Sequence, residues 1–125
     1  MTHKQPTFEC SNSSDLYTTG GSDKGNFALK YPIGLITADE IAYAGGVYGV
    51  VNSNYYLNTG ISYWTMTPYN FSNYAYVLLT YSSGGIGSNK VDSTLGVRPV
   101  INLKADVQLV GSGTTSDPYV VVGAE

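Results

Sequence analysis

The apolar positions of the chain change their pattern after the triplet AGG, about a third of the way along. Before it, the stretch YPIGLITADEIAYAGG favours a short helix that begins at Thr37. Glu40 follows Thr37 at the spacing of a capping box, and Ile36 and Ile41 stand where they can form a hydrophobic staple. Gly45 is a typical C-terminal cap, so we predict a helix of about two turns that depends on tertiary contacts.

After this helix, short β-branched or aromatic segments alternate with clusters of Gly, Asn, Ser and Pro, which is the pattern of strands and turns. The predicted strands are 47–51, 62–67, 75–81, 97–103, 107–110 and 119–122. Both faces of 74–81 carry apolar residues, so we expect both to be at least partly covered. Pro99 cannot donate a ladder hydrogen bond, which places its strand at a sheet edge or a bulge. The glycine-rich stretch 84–87 is expected to be a turn.

The chain has 125 residues, which is the size of one domain. We divide it into a loop-rich segment at 1–30, a core at 31–103 and a C-terminal hairpin at 104–125. The abrupt opening MTHKQPTFE leads us to expect that it is a piece of a longer surface protein. Short antiparallel strands with one or two short helices predict an α+β fold, with an all-β sandwich as the alternative. The sandwich does not account for the capped helix.

Charge and hydropathy argue against two classes of partner. Charged residues make up only 12% of the chain, the net charge is -3, and the six cationic residues are scattered. This leaves no basic footprint for nucleic acid. The apolar runs are far shorter than the ~20 residues that cross a bilayer, so we expect no membrane insertion within this chain. Residues 1–6 are polar and lack the apolar segment of a secretory leader.

The residue types that catalysis or metal binding needs do not occur together. CxxC, HxxxH and EF-hand spacings are absent. The only histidine is His3, which we expect to lie in a frayed terminal segment, so the serines have no general base. Asp39 and Glu40 point about 100° apart on a helix and suit its positive end better than acid–base catalysis. Cys10 is the only cysteine and cannot form a bridge within the chain. We therefore expect no enzymatic activity, no cofactor and no metal.

Arg98 is the only arginine, and it lies in the apolar stretch LGVRPVINL. Its guanidinium needs a fixed acceptor or access to solvent. We expect a structural role, through an ion pair with Asp39 or Glu40 or through bonds to backbone carbonyls, rather than contact with a ligand.

Four motifs occur in a recognisable order: a TADE-type helix with AGG, then YWTMTP, an AYVLL strand, and GVRPVINL. In this order they resemble bacterial extracellular proteins of the C-type lectin-like fold, in its formylglycine-generating-enzyme-like branch. The recurring marks are Trp64 and Thr65 in one strand and Gly96 and Arg98 in another, and the resemblance covers roughly 31–103. It implies a domain of a Gram-positive surface protein, located outside the cell, with any signal or anchor outside this chain.

The resemblance implies binding rather than catalysis. Oxygenase members of the branch use a cysteine pair, iron-dependent relatives use histidine ligands, and calcium-dependent lectins use EPN or QPD and WND motifs. None of these is complete here: Trp64 is followed by Thr65, and Cys10 and His3 are single. The remaining relatives are binding proteins, including variable proteins diversified by retroelements, whose final part displays Asn, Tyr, Ser, Thr and Gly.

The segment 52–89 has this same composition, which also has a physical meaning. Tyr offers a large contact area at low entropic cost, while Ser, Gly and Asn offer adaptable hydrogen bonds. We predict that loops 52–60 and 68–74 bind a protein or glycan ligand without a metal. The alternatives are a spacer or assembly module, or tyrosines that only cover the core. The predicted ligand-binding residues are Tyr55, Tyr56, Asn58, Tyr69, Asn70, Asn73 and Tyr74, and the predicted structural residues are Thr37, Glu40, Trp64 and Arg98.

Overall fold

The computed structural model describes residues 5–7, 30–31, 33–114 and 116–123. Small antiparallel sheets with one short helix make up these ranges, which is a mixed α+β or β-rich fold. Cys10, His3 and most of the predicted loop-rich segment 1–30 lie outside the described residues. The elements, in chain order, are β1 (Ile33–Leu35), α1 (Ala38–Ala44), β2 (Tyr63–Phe71), β3 (Ala75–Thr80), β4 (Ile86–Lys90), β5 (Pro99–Ile101), β6 (Leu109–Val110) and β7 (Val120–Val121).

Helix α1 confirms the predicted capping signals. The Thr37 hydroxyl accepts a hydrogen bond from the Glu40 amide at 3.2 Å, and the Glu40 carboxylate accepts one from the Thr37 amide at 2.7 Å. Gly45 ends the helix in the left-handed conformation, with a φ of 119°, which glycine adopts without steric cost. The helix is tied to the sheet because the Ala38 amide donates to the Thr67 hydroxyl at 2.9 Å.

The central sheet has the strand order β2-β3-β4. Strand β2 contains two register shifts against β3, one on each side of Pro68, so it is bulged. At the first shift the Thr65 hydroxyl donates to the Leu78 carbonyl at 2.7 Å and accepts from the Thr67 amide at 3.2 Å. These bonds replace ladder bonds, so the strand continues to Phe71 instead of ending at 67 as predicted.

The two other sheets are pairs, β1 with β5 and β6 with β7. Pro99 lies opposite Leu35 in the first pair, and because every strand of a two-stranded sheet is an edge, the prediction for Pro99 is confirmed. Gly96 bridges to Tyr63, so the chain just before β5 covers the outer edge of β2. The main-chain bonds there are Trp64 amide to Gly96 carbonyl and Gly96 amide to Ser62 carbonyl.

One strand prediction is wrong, and one turn prediction is only half correct. Residues 47–51 form only isolated bridges, because the chain turns at Gly49, which has a φ of 71°. In the stretch 84–87 only the first half is a turn, since Ile86 and Gly87 begin strand β4. The predicted strands 97–103, 107–110 and 119–122 exist as β5, β6 and β7, but each is shorter than expected.

The core lies between α1, the loop 52–58 and one face of the central sheet. Its buried cluster consists of Ile41, Tyr55, Tyr63 and Ile86, with Leu78 packed against it. Leu78 is half-buried, and Leu79, next to it in strand β3, is fully buried. Because neighbouring residues of a strand point to opposite faces, both faces of β3 are covered, as predicted.

Candidate functional site

Tyr55 does not lie on a surface, so the prediction that it is displayed for a ligand is wrong. It is only 8% exposed, and its hydroxyl donates to the Gly84 carbonyl at 2.9 Å. Gly84 approaches the loop so closely that a side chain there would collide with the Asn52 carbonyl oxygen. This close approach provides the acceptor that lets a tyrosine hydroxyl enter the core.

Tyr56 and Asn58 lie on the loop that precedes β2. Tyr56 is 82% exposed. The Asn58 amide group shapes the loop itself, because it donates to the Ser53 carbonyl at 3.3 Å and accepts from the Gly60 amide at 3.1 Å. Asn58 therefore has a structural role that its sequence context did not indicate.

Arg98 fastens this loop to the sheet. Its guanidinium donates to the Leu57 carbonyl at 3.0 Å and lies 4.9 Å from the centre of the Tyr63 ring. The Tyr63 hydroxyl donates to the same carbonyl at 3.0 Å. Of the acceptors predicted for Arg98, a backbone carbonyl is therefore the correct one, and no ion pair with Asp39 or Glu40 occurs among the described residues. The interaction with Tyr63 is a cation–π contact.

The other four predicted ligand-binding residues lie at the β2–β3 hairpin. The structure corrects the prediction that Tyr69 and Asn70 belong to a loop, because the bulged strand β2 includes both. Asn73 and Tyr74 do lie in the connection, and Asn70, Asn73 and Tyr74 are exposed. The register places Asn70 opposite Tyr76 of β3.

Tyr48 stacks on Tyr69, with ring centres 6.0 Å apart and an angle of 22° between the planes. Tyr48 comes from the turn after α1 and is 53% exposed. The neighbouring hydroxyl of Tyr48 raises the pKa of the Tyr69 hydroxyl. The bulge between Pro68 and Asn70 occurs where Tyr69 meets this partner.

Lys90 packs on Tyr74, with its ammonium nitrogen 3.7 Å from the ring centre. The register places Lys90 opposite Tyr76, which itself lies opposite Asn70. Side chains of directly paired residues share a face, so these three side chains lie side by side across β2, β3 and β4.

The side chains described around the β2–β3 hairpin form one group, which we call the hairpin surface. It consists of Tyr48, Tyr69, Asn70, Asn73, Tyr74 and Lys90. Tyr56 and Asn58 are not part of the hairpin surface. Their loop is bonded to Tyr63, the first residue of β2, whereas Asn70 is the last residue but one of the same strand. Nine strand residues span roughly 25 Å. The predicted site thus divides into two groups at opposite ends of β2.

Sequence reasoning missed two members of the hairpin surface. Tyr48 was placed in a strand, and nothing local indicates that it reaches Tyr69. Lys90 lies in β4, a strand that was not predicted because the glycine-rich stretch before it is typical of a turn. Nothing beside Lys90 in the sequence indicates that it contacts an aromatic ring. Its position over Tyr74 depends on strand pairing alone.

An apolar cleft of about 450 Å³ lies between the β1–β5 pair and the central sheet. Met66, Val77 and Pro99 line it, and the hydroxyl of Thr65, also in its lining, is already bonded to Leu78. A smaller cleft of about 230 Å³ is lined by Trp64 and also by Val77. Trp64 is half-buried, which suits the structural role predicted for it. Neither cleft includes a residue of the hairpin surface.

The described residues contain no group of three or more histidine, cysteine or acidic side chains that could hold a metal ion. Among the same residues, no helix is long and apolar enough to cross a membrane. What the hairpin surface offers is aromatic faces, amide groups and one ammonium group, which suit contact and hydrogen bonding.

The described part of the chain is a small, β-rich domain with one capped helix and an exposed tyrosine-rich surface. Residues 9–105 match the model of a family described as a domain of unknown function, DUF6273, and the chain belongs to this family. No curated protein and no solved structure matches the chain.

Proposed function

We propose that the chain is a non-catalytic, extracellular domain of a bacterial surface protein that binds a protein or glycan ligand through the hairpin surface. The observation that carries the proposal is the grouping of exposed tyrosine and asparagine side chains on paired strands. Tyr69 is supported by Tyr48, and Tyr74 by Lys90. Aromatic side chains held in this way lose little conformational entropy on binding.

For the fold we propose the C-type lectin-like architecture of the formylglycine-generating-enzyme-like branch. The placement of the two sequence marks supports it. Trp64 lies in β2, and its amide donates to the carbonyl of Gly96, which begins the Gly-Val-Arg motif. The two marks are thus neighbours across the edge of β2, although they are far apart in sequence.

A binding screen on glycan and protein arrays tests the function. We expect the parent chain to retain a ligand and the double variant Tyr69→Ala, Tyr74→Ala to lose it, because the variant removes both aromatic faces. The matched control is Tyr56→Ala, which removes an exposed tyrosine at the other end of β2 and should bind like the parent. Circular dichroism verifies that each variant is folded. Equal retention by the double variant and the parent would remove the hairpin surface from the binding site.

An assembly or spacer module is the second candidate, and exposed apolar groups outside the hairpin surface favour it. Val110 and Val120 in the C-terminal pair are each at least half exposed, as is Ile101 in β5. Such groups are commonly covered by a neighbouring domain or subunit. If the arrays yield no ligand and the chain self-associates in sedimentation experiments, this candidate replaces the first.

A further inference from the structure

The stacked pair of Tyr48 and Tyr69 has a chemical consequence that does not depend on ligand binding. The rings are nearly parallel, with centres 6.0 Å apart and an angle of 22° between their planes. The ring carbons next to each hydroxyl, the Cε atoms, are the carbons at which an oxidised phenol forms bonds, and the stack holds the two rings side by side.

Phenol rings in this arrangement can be joined by oxidation. Loss of one electron and one proton from each tyrosine gives two phenoxyl radicals, whose unpaired electron is shared between the oxygen and the Cε carbons. Coupling forms one Cε–Cε bond, and each ring then regains its aromatic state by moving the Cε hydrogen to its oxygen. Hydrogen peroxide accepts the two electrons and two protons and becomes two water molecules, so the reaction is balanced.

Access and mobility favour this pair. Tyr48 is 53% exposed, and Tyr69 is half-buried at the surface, so an oxidant can reach the pair. The segment that carries Tyr48 is held by isolated bridges at Val47–Val50 and at Ile86, not by a continuous strand. Rotation of partly exposed side chains is fast, so the two rings can close to bonding distance without a change in the main chain.

We propose that Tyr48 and Tyr69 are a modification site at which a haem peroxidase with hydrogen peroxide forms an intramolecular dityrosine cross-link. The bond joins the turn after α1 to strand β2 and closes the loop between them. Cys10, the only cysteine, cannot form a disulfide within the chain. The cross-link would therefore give this chain a covalent tie that cysteine chemistry does not provide.

The test treats the full chain, at high dilution, with a haem peroxidase and hydrogen peroxide. We expect the monomer fraction to gain dityrosine fluorescence and to lose the mass of two hydrogen atoms. Peptide mapping should then find the bond between Tyr48 and Tyr69. The cross-linked monomer should also melt at a higher temperature, because the bond restricts the unfolded chain.

Single phenylalanine variants provide the controls. Tyr48→Phe and Tyr69→Phe keep the rings but remove a phenol, so each should abolish the product within the monomer. Tyr56→Phe removes a more exposed tyrosine that lies outside the pair and should leave the product unchanged. Circular dichroism checks that the variants are folded, and the peptide map of the parent chain decides the question even where a variant is not.

Two results would overturn the proposal. The first is a parent chain that yields only cross-links between molecules, or whose mapped bond joins other tyrosines. The second is a folded Tyr48→Phe variant that forms the same monomer product as the parent. Either result would show that the stack does not direct the coupling.

Discussion

Tyr55 brings an ionisable hydroxyl into the core, so its protonation state affects the stability of the fold. Burial raises the pKa of this hydroxyl, nearby Tyr63 raises it further, and the Thr80 hydroxyl partly opposes the rise. In the unfolded chain the pKa of tyrosine is about 10. Because the folded value is higher, the unfolded chain loses its proton first as the pH rises. The stabilisation is therefore complete below about pH 10 and is lost as the pH rises through the folded pKa.

The Tyr55→Phe variant separates this effect from the packing of the ring. We expect it to be less stable than the parent by about 1 kcal/mol at neutral pH, because the Gly84 carbonyl loses its donor. Between about pH 8 and pH 11 its stability should then fall less steeply than that of the parent. Urea unfolding across this range gives the measurement, with Tyr56→Phe as the exposed control. Equally steep curves for Tyr55→Phe and the parent would show that another group causes the alkaline loss.

At the scale of elements, α1 depends on contacts outside itself. It has seven residues, fewer than an isolated helix needs to be stable in water. The capping box at Thr37 satisfies the amide of Glu40, and the Thr67 hydroxyl satisfies the amide of Ala38. Ile41, which is fully buried, then anchors the helix in the core. The helix is thus fixed at its first turn by one local and one long-range threonine.

Replacing either threonine should weaken this attachment. Thr67→Val preserves shape but leaves the partly buried Ala38 amide without an acceptor, which we expect to cost about 1–3 kcal/mol. Thr37→Ala removes the N-cap and should cost about 1 kcal/mol. Urea unfolding measures both. The control is Thr94→Val, at an exposed threonine without a hydrogen bond to another described residue, which should remain within about 0.5 kcal/mol of the parent. A Thr67→Val variant as stable as this control would rule out the docking role.

The same elements show what could be predicted from the sequence. The helix was predictable because Thr37, Glu40 and Gly45 act on the backbone within one turn of themselves. The end of β2 was not, because Pro68 is a breaker by local rules, and the bond from Thr65 to the Leu78 carbonyl that supports the bulge comes from the next strand. Strand β4 was missed because IGSNK does not alternate apolar and polar residues.

The candidate site was predictable to a similar degree. Composition indicated the stretch 69–74, which lies on the hairpin surface, because its polar and aromatic residues are too numerous for all of them to be buried. It could not separate Tyr55 from Tyr56, since the choice depends on the close approach of Gly84 from another turn. Tyr48 and Lys90 join the surface only through long-range pairing.

At the scale of the whole molecule, the C-terminal pair β6–β7 stands apart from the family match. The match ends at residue 105, and β6 and β7 contact mainly each other among the described elements. Val110 and Val120 are exposed on this pair. A lone two-stranded hairpin is marginally stable in water, so it contributes little to a neighbouring core that it scarcely touches.

A chain that ends at Ala105 tests whether the pair belongs to the same cooperative unit. We expect this shorter chain to unfold in a single transition, with a melting temperature within about 4 °C of the parent, which corresponds to roughly 1 kcal/mol. The physical reason is that the core of Ile41, Tyr55, Tyr63 and Ile86 lies wholly before the cut. Calorimetry of both chains gives the comparison, and the hairpin surface should keep its ligand in the shorter chain. A broad transition or a much larger drop would place β6 and β7 within the folding unit and contradict the division of the chain near residue 104.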